Sequence, residues 1–281
     1  FSSGVLMMGF GLGSLILGTL SVNLFKGGMD LSTVFLGIGV IGGVVAIVAG
    51  LLLRRPPANI VQLMAPEKAA ASGYDPAEDD SALKTPLFYV YWIWAIIVIG
   101  IGLATIGNCA SDAQLVGWDE GFATLLVGLV STCNGLARVV IGILFDKTNV
   151  KVTMLVDALV SVVATVSIVG AFTLHIPVLY VVGAFACGFC YGGVPVVASA
   201  FARQRFGAKN YPLNLSLANF AIVFGSILNL VIQGVLGGDA RVETFIVLAV
   251  LSLLATFDVL PFSKMFNKSQ KELDEKRAAA A

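Results

Sequence analysis

Residues 86–108 read PLFYVYWIWAIIVIGIGLATIGN and contain no charged side chain. A helix needs about 20 apolar residues to cross the hydrocarbon core of a bilayer, so this stretch predicts a transmembrane helix. Further stretches of similar length and hydropathy occur at 3–25, 31–53, 121–145, 152–173, 176–202, 213–236 and 242–263. The sequence therefore predicts an all-α membrane protein with eight transmembrane helices.

The composition supports this prediction. Hydrophobic residues make up 58% of the chain, charged residues 12%, and the mean hydropathy is +0.94. Soluble domains carry about 25% charged residues, so most of this surface is expected to face lipid. Basic and acidic residues number 17 each, and this balance gives no indication of a nucleic-acid partner.

The cysteine and histidine content argues against a metal site or a membrane enzyme. Cys187 and Cys190 form a CxxC pair, but the pair lies inside an apolar run, where packing between helices is favoured over a redox role. The chain has one histidine, His175, and no spacing typical of zinc ligands. We expect no metal, no cofactor and no enzymatic activity.

Basic residues indicate how the chain crosses the membrane, because Lys and Arg are enriched in cytoplasmic loops. The loops predicted on the other side of the membrane hold only two basic residues, Lys26 and Arg241. Both termini of the chain and the 54–85 linker are therefore predicted to be cytoplasmic, and the plasma membrane is the expected location. The basic residues of the predicted cytoplasmic loops are Arg54, Arg55, Lys68, Lys84, Lys147, Lys151, Arg203, Arg205, Lys209, Lys264, Lys268, Lys271, Lys276 and Arg277.

Arg138 is the main candidate for a functional residue, because it lies deep inside the 121–145 span. An arginine at the membrane centre costs on the order of 3 kcal/mol, so it must face the bundle interior, a cavity or a partner. Asn134 lies four residues earlier, on the same helix face. Arg138 is either a structural partner of Asp157 in the next span or an anion-binding group. We favour the second, since a guanidinium suits a carboxylate.

Three other residues are candidates for lining a substrate cavity. Trp92 belongs to an aromatic cluster that also fits an interfacial belt, and Tyr191 is a mid-span hydroxyl that needs a partner. Asn219 belongs to a polar stripe that either forms hydrogen bonds between helices or lines a cavity. The stripe continues through Ser216, Ser226, Asn229 and Gln233.

Residues 142–151, GILFDKTNVK, connect two spans through a short basic loop. Asp146 can cap a helix or pair with Arg203 or Arg205 from the next loop on the same face. Such a pair would latch one conformation of a rocking transporter.

This loop resembles the signature loop of the major facilitator superfamily, and FARQRFG at 201–207 resembles the charged end of the helix two spans later. That fold has twelve helices in two bundles joined by a long cytoplasmic loop. The resemblance implies that 1–53 holds the last two helices of the N-terminal bundle and 86–264 the C-terminal six-helix bundle. The cytoplasmic tail would then be 265–281, and the four N-terminal helices would be missing from this chain.

Within that superfamily the chain resembles the oxalate:formate antiporter family and its monocarboxylate relatives. NGLARVVIGILFDK at 134–147 resembles the helix whose arginine binds the substrate carboxylate, which implies that role for Arg138. Further resemblance lies at 102–108 and 191–214. The dicarboxylate carrier of that family has a second cation in its eleventh helix, whereas this chain has no Lys or Arg between Lys209 and Arg241. We therefore expect a monoanion.

The expected function is secondary transport of a small organic anion by alternating access. Arg138 would hold the anion, Asn134, Tyr191 and Asn219 would orient it, and Trp92 would form a wall. The driving force would be a proton or a counter-anion. Exchange is slightly favoured, because the in-span carboxyls Asp157 and Asp258 lack the features of a proton carrier. The alternatives are a transporter of a larger amphipathic acid such as a bile salt, a substrate sensor, a channel and a membrane enzyme.

Overall fold

The computed structural model describes residues 13, 16–18, 20–54, 81–207 and 209–280. Within these ranges the chain is helical and contains no strand. The described residues up to 54 and those from 81 onward belong to two separate compact units. The predicted span at 3–25 lies largely outside the described residues, as does most of the 54–85 linker.

The smaller unit contains helix α1, Leu31–Leu52, preceded by helical residues at 16–18 and 20–26. Asp30 caps α1, because its side chain accepts a hydrogen bond from the backbone N–H of Thr33 at 3.0 Å. The hydroxyl of Thr33 also donates to this carboxylate and lowers the pKa of Asp30. With 22 residues, α1 is about 33 Å long, which is enough to cross a bilayer.

The larger unit is a bundle of long helices with short connections. A 3₁₀ turn, Ala82–Lys84, comes before its first helix. Its α-helices are α2 Pro86–Ile106, α3 Cys109–Leu115, α4 Glu120–Lys147, α5 Val150–Leu174, α6 Pro177–Phe206, α7 Tyr211–Asn219, α8 Ala221–Leu236 and α9 Arg241–Ala280. Seven helical segments of the described residues are long and apolar enough to span a membrane, with α7 and α8 counted as one segment. They confirm the second to eighth predicted spans.

Local sequence signals explain where these helices begin. The side chain of Asp119 accepts from the backbone N–H of Phe122 at 3.1 Å, and Asn149 accepts from the N–H groups of Lys151 and Val152. Each cap satisfies backbone donors that the first helical turn leaves free. Pro177 occupies the first position of α6, where its missing N–H costs nothing. These caps allow α4, α5 and α6 to follow one another through connections of a few residues.

Helix α6 lies at the centre of the bundle and packs against α2, α4 and α5. Glycines make the closest of these contacts. A β-carbon at Gly188 would lie 2.8 Å from the carbonyl oxygen of Val130 in α4, and one at Gly183 would lie 2.9 Å from that of Ala164 in α5. Small residues let helices approach closely inside a membrane, and these two glycines allow α6 to pack directly against the backbones of α4 and α5.

The structure divides the predicted span at 213–236 into α7 and α8, which meet at Phe220. The backbone N–H of Phe220 donates to Leu217 and Ser216, and that of Val223 donates back to Phe220. Two of these hydrogen bonds join residues three apart, as in a 3₁₀ helix, and they interrupt the regular α-helix here. Two other departures are α3, which lies within the predicted loop at 109–120, and α9, which continues through the predicted tail.

Candidate functional site

Arg138 and Asn134 lie side by side on α4, as their four-residue spacing predicts. Each is 6% exposed, and Nη2 of Arg138 lies 3.4 Å from Oδ1 of Asn134. The amide oxygen of Asn134 thus accepts from the guanidinium and holds it in place. A buried guanidinium presents five donors in a rigid planar fork, which matches the geometry of a carboxylate.

Tyr191 approaches the same group from α6. The Tyr191 side chain and Arg138 interact electrostatically. The position of Tyr191 is fixed from the other side by α2, because a β-carbon at Gly102 would lie 2.5 Å from the β-carbon of Tyr191 and 2.9 Å from its ring. Three of the five predicted substrate residues, Arg138, Asn134 and Tyr191, therefore meet where α4 faces α6.

Gly192 explains why α6 comes this close to α4. A side chain at this position would overlap the carbonyl oxygen of Asn134 and would lie 3.0 Å from the β-carbon of Ala137. The helix backbones therefore touch one turn before Arg138. This contact brings Tyr191, the residue before Gly192, to the level of the guanidinium.

Trp92 and Asn219 lie at the break between α7 and α8. The indole N–H of Trp92 donates to the carbonyl oxygen of Leu217 at 2.9 Å, and its ring centroid lies 5.3 Å from that of Phe224. Asn219 is the last residue of α7 and is half-buried. Trp92 thus supports the interrupted helix. The roles of Trp92 and Asn219 toward a substrate remain predictions.

The polar stripe beyond Asn219 forms hydrogen bonds within its own helix. Ser226 donates to the carbonyl oxygen of Ile222, and Gln233 donates to Oδ1 of Asn229 at 3.2 Å. Both pairs are four residues apart on α8. These two contacts are not the hydrogen bonds between helices that were one of the two alternatives for the stripe.

The predicted latch residues lie at the predicted cytoplasmic end of α4 and α6. Asp146 and Arg203 are exposed. Arg205 is 7% exposed, and its guanidinium carbon lies 5.2 Å from the ring centroid of Phe206. Arg205 therefore lies in the interior of the bundle, whereas Arg203 lies on its surface. The latch itself remains a prediction.

An ion pair that was not predicted from the sequence joins Asp112 on α3 to Arg241 at the start of α9. Nε of Arg241 donates to Oδ1 of Asp112 at 2.8 Å, and Nη2 donates to the other carboxylate oxygen. Burial raises the pKa of the Asp112 carboxyl, and the hydrogen bonds from Arg241 oppose that shift. The sequence did contain a signal for this pair, because the two residues have opposite charges and lie in loops predicted on the same side of the membrane.

One alternative for Asp157 on α5 was a structural pair with Arg138, and the described residues show no such pair. Asp157 is fully buried, and neither carboxylate oxygen has a hydrogen-bond partner in the part of the chain that the structure describes. Its carboxylate lies against α6, since a β-carbon at Gly193 would lie 2.5 Å and 2.7 Å from its two oxygens. A buried carboxyl without a partner is costly and requires an explanation.

All four cysteines are free, including the CxxC pair. Cys187 and Cys190 are buried, and the hydroxyl of Thr105 donates to the sulfur of Cys187 at 2.9 Å. The pair therefore packs inside the bundle, in agreement with the structural interpretation of these residues.

Comparison with known proteins agrees with the fold. A search of curated proteins returned no match. The sequence model of the Major Facilitator Superfamily matches residues 87–280, which is more than half of the 281 residues and covers α2 to α9. Together with the bundle of apolar helices, this match shows that the chain belongs to the Major Facilitator Superfamily.

Proposed function

We propose that the protein transports a small organic anion with one carboxylate, and that Arg138 binds this carboxylate. Members of the superfamily are secondary transporters, in which two helical bundles rock around a site near the middle of the membrane. The observation that supports an anionic substrate is the buried guanidinium of Arg138, held beside Asn134 and Tyr191.

The chemistry of the three residues fits this role. A guanidinium donates two parallel hydrogen bonds to a carboxylate, and such charge-assisted bonds are about twice as strong as neutral ones. The amide of Asn134 and the hydroxyl of Tyr191 would orient the rest of the substrate. A charged side chain inside a membrane is by default a candidate for a functional group, because its burial is costly.

The number of cations favours a monoanion. The sequence has no Lys or Arg between Lys209 and Arg241, so α7 and α8 contribute no second basic group. Arg241 already binds Asp112. A single guanidinium at the site would neutralise one carboxylate and would leave a second carboxylate unpaired in a medium of low dielectric constant. This argument disfavours a dicarboxylate such as oxalate.

Two related functions would use the same contact between a carboxylate and Arg138. A larger amphipathic acid, such as a bile salt, would present the same carboxylate to Arg138. A substrate sensor would bind the acid without moving it. We propose in addition that Asp146 and an arginine of α6, Arg203 or Arg205, latch the predicted cytoplasmic end, and that residues 54–85 form the cytoplasmic linker between two bundles in a plasma-membrane protein.

Uptake into liposomes by the full-length protein tests this proposal. Labelled lactate, formate, oxalate and a bile acid are supplied to the wild type, to Arg138→Ala and to the control Ser226→Ala, whose hydroxyl donates to the carbonyl oxygen of Ile222 in its own helix. We expect uptake of a monocarboxylate, a loss of at least about tenfold in Arg138→Ala, equivalent to about 1.4 kcal/mol, and no loss in the control. Normal uptake by folded Arg138→Ala would refute the role of this residue. Binding without flux in the wild type would identify a sensor.

A further inference from the structure

Asp157 provides a second ionisable group inside the bundle, next to the site around Arg138. Three consecutive residues of α6 connect the two groups. Tyr191 interacts with Arg138, Gly192 lies against the backbone of Asn134, and Gly193 lies against the carboxylate of Asp157. A movement of this turn of α6 would change the surroundings of both groups at once.

Asp157 is enclosed by uncharged groups. Among the described residues, Asp157 interacts electrostatically with two titratable side chains, Tyr91 on α2 and Cys190 on α6. The hydroxyl of Tyr91 is buried and likewise has no hydrogen-bond partner among the residues that the structure describes. The described parts of α4 and α9, which also pack on α5, place no charged group in contact with the carboxyl.

These surroundings suit a proton and no larger cation. A calcium ion requires about six oxygen ligands, whereas the described side chains that interact here, Asp157 and Tyr91, bring one carboxyl and one phenol. No cluster of three potential metal ligands occurs among the described residues. An ionised carboxylate without a partner is very costly in an apolar interior, so a buried group of this kind carries a proton instead.

The sequence of α6 provides a means of exposing the carboxyl. Pro195 lies inside the helix and has no backbone N–H, so the carbonyl group of Tyr191 lacks its usual helical donor. A missing hydrogen bond of this kind is a common site of helix bending. Bending here would move Gly193 away from Asp157 and admit water, and the carboxyl would then release its proton.

We propose that Asp157 is a proton-binding site and that its proton is carried together with the anion bound at Arg138. This inference rests on the function proposed above and names its coupling ion. It favours proton-coupled transport over the exchange that the sequence favoured. In each cycle the O–H bond of Asp157 forms on one side of the membrane and breaks on the other, so one proton accompanies one monoanion and no net charge moves.

Transport by Asp157→Asn provides the first test, because asparagine keeps the size of the side chain and is permanently uncharged. The full-length protein in liposomes is assayed for counterflow of the labelled acid and for accumulation driven by an inward proton gradient. We expect Asp157→Asn to retain counterflow and to lose accumulation by at least tenfold. Asp258→Asn, which changes another in-span carboxyl, is the control and should keep both activities.

Two transport results would overturn the coupling. One is accumulation by Asp157→Asn at the wild-type level under the gradient. The other is wild-type counterflow that no proton gradient can convert to accumulation, which would leave the anion transport intact. Absence of counterflow for every acid tested would instead refute the proposed function, and the coupling with it.

Infrared spectroscopy tests the proton site independently of transport. A protonated carboxylic acid has a carbonyl band that a carboxylate and an amide lack. The difference spectrum between the wild type and Asp157→Asn at neutral pH should contain this band, and the corresponding spectrum for Asn229→Ala should not. Its absence from the Asp157→Asn difference spectrum would show that Asp157 is ionised and would overturn the proposal.

Discussion

Arg241 and Asp112 form a buried bidentate ion pair that joins the first residue of α9 to α3. Asp112 is 1% exposed and Arg241 is 9% exposed. Nη2 of Arg241 also lies 3.5 Å from the carbonyl oxygen of Ala104 near the end of α2. One guanidinium therefore connects three helices at the end of the bundle opposite the α4–α5 loop.

Removing one partner of this pair should destabilise the bundle. Breaking a buried pair from one side costs about 3 kcal/mol or more, because the other charge remains buried without compensation. We expect Asp112→Ala and Arg241→Ala each to lower the thermal unfolding temperature in detergent. The double variant should lose less than the sum of the two losses, since it buries no lone charge.

The exposed pair of Lys268 and Glu272 on α9 provides the control for this prediction. Its atoms lie 4.0 Å apart, and both side chains are more than half exposed. Exposed pairs contribute little, so Lys268→Ala should leave the unfolding temperature nearly unchanged. Equal effects of Lys268→Ala and Asp112→Ala would contradict the structural role of the buried pair.

Gly192→Ala should disrupt the site around Arg138 without changing any polar group. The added methyl group would overlap the carbonyl oxygen of Asn134 and force α6 away from α4. We expect transport to fall at least about tenfold in liposomes, since small misplacements of binding groups are costly. Gly234→Ala is the matched control, because a β-carbon there meets nothing within 4 Å. Normal transport by Gly192→Ala would show that this close approach is not needed.

Trp92→Phe should loosen the break between α7 and α8. Phenylalanine keeps an aromatic ring beside Phe224 but loses the hydrogen bond to Leu217. A hydrogen bond of this kind contributes about 1 kcal/mol, so local opening should become roughly fivefold more frequent. Amide hydrogen exchange at residues 217–223 measures the change, with α5 as the internal reference. Unchanged exchange at these residues would show that Trp92 does not support the break.

Periodicity and hydropathy predicted the helices of the larger unit well. Their spans depend on apolar runs that a bilayer requires, and caps such as Asp119 and Asn149 mark their starts. The pairing of Asn134 with Arg138 also followed from the sequence, because residues four apart share a face of a helix.

Contacts between distant segments could not be predicted in this way. The approach of Tyr191 to Arg138 depends on Gly102 and Gly192, whose packing partners belong to other helices. The break at Phe220 has no proline at that position. It is supported by an indole N–H from residue 92, far away in the sequence. The isolation of Asp157 likewise depends on how α2 and α6 cover it.

Binding of the transported acid to purified protein tests the central claim most directly, because it separates recognition from flux. Titration calorimetry compares the wild type with Arg138→Lys and Arg138→Ala. We expect Arg138→Ala to weaken the Kd at least about tenfold, and Arg138→Lys to fall between the two, because lysine keeps the charge without the planar fork. The same Kd in all three proteins would contradict the assignment of Arg138 as the anion-binding residue.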